Sequence, residues 1–360
     1  MNNTCDELYD KNVVNMIINL NRFEPCNKLF FLACRYGHEN LIDLLSGRFI
    51  NNTKYWRHGI EKACEGGHVK IVKKMTSMIN YTDLNSLISS VCEGGNIELI
   101  NWVMSTLNES QKTIDLKVAL FGASLGGHQK IVKLIMAIIK KTYPDPSFKL
   151  IINFGFVGAC CNGNKDIINM TIENGATDWH LGFVGACSGG HMDIVSYVIQ
   201  KFQSTNKSNK LSISDYFDWD DGMQMASAGG HVEMMRFLLK FQKTPGVFNL
   251  DGMLANRTFN LDGMLIINLE KCFVKASKWG HLNMVMFVAE YLNHSLTETT
   301  RNEALHLACE EGHVEIVRWL LSMYFNIDDM TIILGCINKA NIHSCFSVIE
   351  VLKNKIKSFN

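Results

Sequence analysis

The chain has 360 residues, is 47% apolar and 19% charged, and balances 35 basic side chains against 35 acidic ones. That composition suits a folded chain, and zero net charge argues against a nonspecific nucleic-acid binder, which is normally basic. No apolar run is long enough to cross a bilayer, so neither nucleic acid nor membrane is expected as a partner.

The first ten residues, MNNTCDELYD, show no basic stretch followed by an apolar one. No secretory signal is therefore read there, and a cytoplasmic or nuclear location is expected. Residues 1–25 hold one amphipathic stretch, near 13–20, and read as an N-terminal capping segment.

From residue 26 to about 325 one pattern recurs nine times. The copies read ACRYGHENLI, ACEGGHVKIV, VCEGGNIELI, ASLGGHQKIV, ACCNGNKDII, ACSGGHMDIV, ASAGGHVEMM, ASKWGHLNMV and ACEEGHVEIV. Each places Gly before a His or Asn: Gly37-His38, Gly67-His68, Gly95-Asn96, Gly127-His128, Gly163-Asn164, Gly190-His191, Gly230-His231, Gly280-His281 and Gly312-His313. The third and fourth residues after the His or Asn are apolar in every copy. The seventh is apolar except at Thr171. Apolar residues at i, i+1 and i+4 form one stripe of a helix. A helix therefore starts near each His or Asn. The Gly stands where the preceding helix must stop, in the left-handed conformation that Gly adopts without a Cβ clash. The unit is helix, Gly turn, helix. No unit buries its stripe alone, so neighbours must stack.

The pattern resembles the ankyrin repeat, whose consensus runs T-P-L-H-x-A-A-x-x-G-H-x-x-I-V-x-x-L-L. The best copy is EALHLACEEGHVEIVRWLL, residues 303–321, and ENGATD at 173–178 also matches. Most copies lack the T-P-L-H opening. The style, rich in Asn, Ile and Lys, is similar to ankyrin proteins of giant viruses that infect amoebae. The resemblance implies an all-α ankyrin-repeat solenoid of about nine to ten stacked helix-turn-helix units with irregular loops between them. It also implies that each turn His ties neighbouring turns together. His38, His68, His128, His191, His231, His281 and His313, with their glycines, are thus structural, and His306 falls in the L-H slot.

Twelve cysteines invite a disulfide or zinc reading. Six of them, Cys34, Cys64, Cys92, Cys160, Cys187 and Cys309, share one slot four residues before the His or Asn, where Ser124, Ser227 and Ser277 also occur. A compact buried side chain explains that slot. Packed helices about 10 Å apart would keep these sulfurs from bridging. Cys336 and Cys345, with His343 between them, do not match a zinc spacing. No metal and no cofactor is expected. No phosphate loop, HExxH helix or GxSxG elbow occurs, so the chain reads as a non-enzyme.

Departures from the repeat fall near residues 140–150, 201–221 and 243–268. The last holds the seven-mer FNLDGML twice, at 248–254 and 259–265. Insertions in repeat proteins collect on one face, often the binding face. Tyr216, Phe217, Asp218, Trp219, Asp220 and Asp221 are the candidate partner contacts. Aromatics there supply anchor area and carboxylates orient a basic partner; the competing reading tucks Phe217 and Trp219 onto the next repeat. Residues 326–360 read as a degenerate C-terminal capping repeat with a basic tail, Lys353, Lys355 and Lys357. The expected function is a monomeric scaffold binding unidentified proteins on the concave face of the array, host proteins if the viral style holds. The alternatives are a structural or packaging component and a ubiquitin-ligase substrate adaptor. No ligase-docking box is visible after the last repeat.

Overall fold

The computed structural model describes residues 26–46, 53–81, 83–110, 114–145, 147–206, 213–242, 263–326, 329–342 and 345–358. The expected N-terminal capping helix, the first seven-mer and most of the second lie outside the described residues. Among the described residues all regular structure is helical. The chain divides into two units, residues 1–159 with 166–176, and residues 160–165 with 177–360.

The first unit is a series of helix pairs: α1 (Cys26–Tyr36) with α2 (Glu39–Ser46), α3 (Thr53–Glu65) with α4 (Val69–Met78), α5 (Ile88–Gly94) with α6 (Ile97–Glu109), and α7 (Leu116–Leu125) with α8 (Gln129–Thr142). Helices α9 (Ser147–Asn162) and α10 (Lys165–Glu173) follow. The first helices of successive pairs pack in order, α1 on α3, α3 on α5 and α5 on α7.

The second unit continues with α11 (Trp179–Gly189) and α12 (Met192–Thr205), then a single helical turn, α13 (Ile213–Tyr216). Next come α14 (Trp219–Ala228) with α15 (Val232–Gln242), α16 (Gly263–Trp279) with α17 (Leu282–Tyr291), α18 (Glu298–Glu311) with α19 (Val314–Met323), and α20 (Met330–Ile342) with α21 (Phe346–Lys357). Here α11, α14, α16, α18 and α20 pack in series, as do α15, α17, α19 and α21.

The repeated stripe explains the second helices. Ile71, Val72 and Met75 are buried, as are Ile194, Val195 and Val198, and Ile316, Val317 and Leu320. Thr171 breaks the apolar rule yet is fully buried. Its hydroxyl donates to the Ile168 carbonyl at 2.8 Å, so no polar group is left unpaired.

The turn motif has a hydrogen-bond explanation. His68 N–H donates to Ala63 O at 3.0 Å, and Gly67 N–H donates to Cys64 O at 2.9 Å. These are the two bonds of a Schellman cap, with Gly as its left-handed residue. The same pairs recur at His128 with Gly127, His191 with Gly190, and His231 with Gly230. Each of the nine motif glycines has φ between 70° and 87°. The small Ala and Cys or Ser slots thus supply the accepting carbonyls of the last helical turn, packed against the neighbouring helix.

The irregular segments are shorter than the sequence suggests. Residues 140–142 belong to α8 and 147–150 to α9, leaving Tyr143–Asp145 as described loop. Similarly, α12 runs to Thr205 and α16 begins at Gly263, inside the stretches read as insertions.

A tenth unit lacks the sequence motif but keeps its geometry. Cys345 N–H donates to Ala340 O at 2.8 Å, as His313 N–H does to Ala308 O at 2.8 Å. Counting Cys345 as the turn residue places Val348, Ile349 and Leu352 at the third, fourth and seventh positions, and all three are buried. The C-terminal segment is therefore a helix pair in repeat register, with Lys353, Lys355 and Lys357 on its last turns.

Candidate functional site

The turns form a ladder. His68 Nε2 lies 2.9 Å from Arg35 O, His128 Nε2 2.7 Å from Glu93 O, and His231 Nε2 3.0 Å from Ser188 O. His281 Nε2 is 2.8 Å from Ala228 O and His313 Nε2 2.7 Å from Lys278 O. Each ring thus ties its turn to the carbonyl of the turn before. Asn96 does the same, donating from Nδ2 to Gly67 O at 3.0 Å, while its Oδ1 accepts from Leu99 N–H at 3.1 Å. Asn therefore both ties the turns and caps its own helix. The turn histidines with assigned caps make no such side-chain cap. These rings are engaged in holding one turn to the next.

The Gly before the motif Gly has a separate reason. A Cβ on Gly229 would collide with Ser188 O, the carbonyl that accepts from His231. A Cβ on Gly66 would likewise strike Arg35 O, the acceptor of His68. In the copies that carry it, this additional Gly thus lets the turns approach closely, whereas Tyr36, Asn162, Trp279 and Glu311 fill the same position in the others.

The aromatic-acidic segment 216–221 divides into anchor and surface. Phe217 is only 1% exposed. Its ring meets Phe183 at 5.3 Å and Phe202 at 5.2 Å, both edge-on. Tyr216 stacks on Phe202 at 4.3 Å, and Trp219 meets Phe183 edge-on at 5.2 Å. Phe217 is therefore a core side chain, packed as the competing reading of the sequence had it.

Asp218 is exposed and caps α14, its Oδ1 accepting from Asp220 N–H at 2.9 Å and Asp221 N–H at 3.3 Å. A carboxylate is favourable at that helix end. Asp221 Oδ2 lies 3.4 Å from His180 Nε2, and Asp218 N–H donates to His180 Nδ1 at 3.4 Å. Asp220 is part-buried and accepts from Asn268 Nδ2. Burial, with Asp218 and Asp221 nearby, holds its carboxyl above the usual Asp range. What the segment shows to solvent is chiefly the Asp218 and Asp221 carboxylates, with the edges of Tyr216 and Trp219.

Two further places lie outside segment 216–221. In the first unit the turn after α8 borders an open cavity of about 560 Å³ lined by Lys140, Tyr143, Asp145, Lys149 and Glu173 among others. In the second, Cys336 Sγ lies 3.4 Å from His306 Nδ1. A hydrogen bond with Cys336, then burial, push the Cys309 thiol up. Burial alone raises Cys34 to about 12, and chiefly burial does the same for Cys272. Such thiols stay protonated and act as compact apolar groups. Among the described residues no group of three or more His, Cys, Asp or Glu is arranged to hold a metal ion. Among them, too, no helix is long and apolar enough to cross a membrane.

No curated protein matches this chain. A family model described as ankyrin repeats (3 copies) matches residues 265–331, which span α16 to the start of α20. Ankyrin repeats are therefore present, and the helix-turn-helix geometry of that segment recurs at the other Gly-turns, in an all-α repeat arrangement.

Proposed function

We propose that the chain is a non-enzymatic scaffold that binds partner proteins on the face shared by its first helices and inter-repeat loops. Ankyrin repeats generally mediate protein–protein interaction. The observation that carries the reading is the run of hydrogen-bonded turns within each unit: a surface already ordered loses little entropy on binding. Within it, Asp218 and Asp221, held on a base of packed aromatic rings, form the preferred contact for a basic partner. Tyr216, Trp219 and Asp220 contribute the rest of that contact, and Phe217 supports it from beneath. The Asn-, Ile- and Lys-rich style supports host proteins as the partners of a viral chain.

Capture of partners by the tagged chain from the cells that express it tests this, with Asp221→Lys beside the parent after both are shown to melt alike. A partner lost with Asp221→Lys supports the scaffold and the segment. A partner retained keeps the scaffold and moves its site. Recovery of the chain alone would overturn the reading in favour of a structural component.

A further inference from the structure

Arg301 stands in a slot that the repeat otherwise keeps apolar. The position twelve residues before the turn residue is Cys, Trp, Leu or Ile in the other nine units, with Cys345 counted as the tenth turn residue. Leu269 fills it in the unit before and Ile333 in the unit after, and both are fully buried. Leu305, one helical turn after Arg301 on the same face of α18, is fully buried too. A guanidinium cannot lose its proton in a protein. The slot therefore carries a permanent charge toward the core.

No counterion meets that charge. Arg301 Nε is closed off from solvent and has no hydrogen-bond partner. Among the described residues Arg301 makes no ion pair. Glu298, three residues earlier, is exposed, and Asp329 accepts from Asn326 N–H at 2.8 Å. What the guanidinium meets is the ring of Tyr324, 5.6 Å from Cζ to the ring centre. A ring face attracts a cation but leaves its N–H donors without an acceptor oxygen. Tyr324 is held in turn by Trp319, edge-on at 5.7 Å, and by His294, whose Nδ1 is 3.0 Å from the phenol oxygen. Burial raises the Tyr324 hydroxyl above its ordinary value even with Arg301 beside it, so the surroundings are poorly hydrated. A long cationic side chain ordinarily buries its stem and keeps its head in water. Here the head is partly dehydrated, while Arg301 as a whole is half-buried and can still be reached from solvent.

We propose that Arg301 anchors an oxyanion site, in which a carboxylate or phosphate group pairs with the guanidinium that lies on Tyr324. A guanidinium donates through a planar fork that matches two oxygens at once. Partial dehydration strengthens such a pair relative to one in open water. The oxyanion neutralises a charge that an apolar slot otherwise leaves unbalanced. The site belongs to α18 and the end of α19, and it does not depend on the protein-binding reading or on segment 216–221.

The test follows melting of the full chain in rising inorganic phosphate at constant ionic strength, with chloride as the matched control. Parent, Arg301→Leu and Arg301→Lys are compared. Phosphate should raise the Tm of the parent and chloride should not. The gain should vanish in Arg301→Leu, which should melt at or above the parent without phosphate, because Leu fills the slot in the unit before. Arg301→Lys keeps the charge but loses the fork, and should bind phosphate at least tenfold more weakly. Anisotropy of labelled peptides with phosphoserine, Glu or Gln at one central position separates the sources. Binding of the phosphoserine or Glu peptide, lost with Arg301→Leu, supports the site with a protein-borne oxyanion. Phosphate binding with neither peptide supports it with a free one. An equal phosphate gain in parent and Arg301→Leu would be the general effect of an excluded salt and would overturn the proposal. So would an Arg301→Leu variant that folds but melts well below the parent without phosphate, since the guanidinium would then be balanced within the protein. Undiminished binding by Arg301→Lys would overturn the fork as the recognition element.

Discussion

The thiol of Cys345 points at the carbonyl oxygen of Glu310, 3.6 Å away, and so occupies the place that an imidazole takes in the preceding turn. There His313 Nε2 meets Lys278 O at 2.7 Å. A thiol is the weaker donor.

Cys345→His should therefore be tolerated and raise stability by about 0.5–1.5 kcal/mol, the net worth of a typical hydrogen bond. Urea unfolding of parent and variant measures it. A loss of stability would show that Cys345 is held by packing and that the tenth turn differs from the others.

Gly229→Ala should destabilise by about 1–3 kcal/mol, as overpacking does. Gly229 has φ −85°, so Ala meets no backbone strain there. The cost arises from the collision with Ser188 O, which must move away from His231. An unchanged melting curve would show that the turns yield to a methyl group.

Phe217→Ala should cost about 3–5 kcal/mol, in the range for a buried aromatic truncated to Ala. Asp221→Lys on the neighbouring surface should cost far less. Thermal melts of the two variants separate anchor from surface. Equal melts would place Phe217 outside the core.

Stability should fall as pH drops below about 6.5, the ordinary imidazole value. Burial holds His231 below that value, with His191 and His281 nearby adding to the effect against its bond to Ser188. Between the folded and unfolded pKa values the unfolded chain binds more protons, so stability rises with pH across that window. It is fully present above the unfolded value and is lost as the pH falls toward the folded one. Urea midpoints at pH 5 and pH 7.5 report this. His231→Asn, which copies the tie made by Asn96, should show a smaller fall than the parent.

Much of this protein could be read from local pattern. The Ala, Cys or Ser, Gly and His positions lie within six residues, and one Schellman cap uses them all. The apolar positions after each turn follow helical periodicity. Local hydrogen bonds and helix phase therefore set the register, and the nine turns and the stripes they bury were legible without any tertiary contact. The T-P-L-H opening was of little help because most copies lack it.

Two matters depended on residues distant in sequence. Nothing local distinguishes Phe217 as a surface anchor from Phe217 as core; its contacts with Phe183 and Phe202 decide it. Nothing local marks Cys345 as a turn residue either, since the Gly-His signal is missing there. Its role is set by Ala340 five residues back and by Glu310 in the preceding repeat. Periodicity tells which face of a helix is apolar, but whether that face is covered depends on the neighbouring repeat.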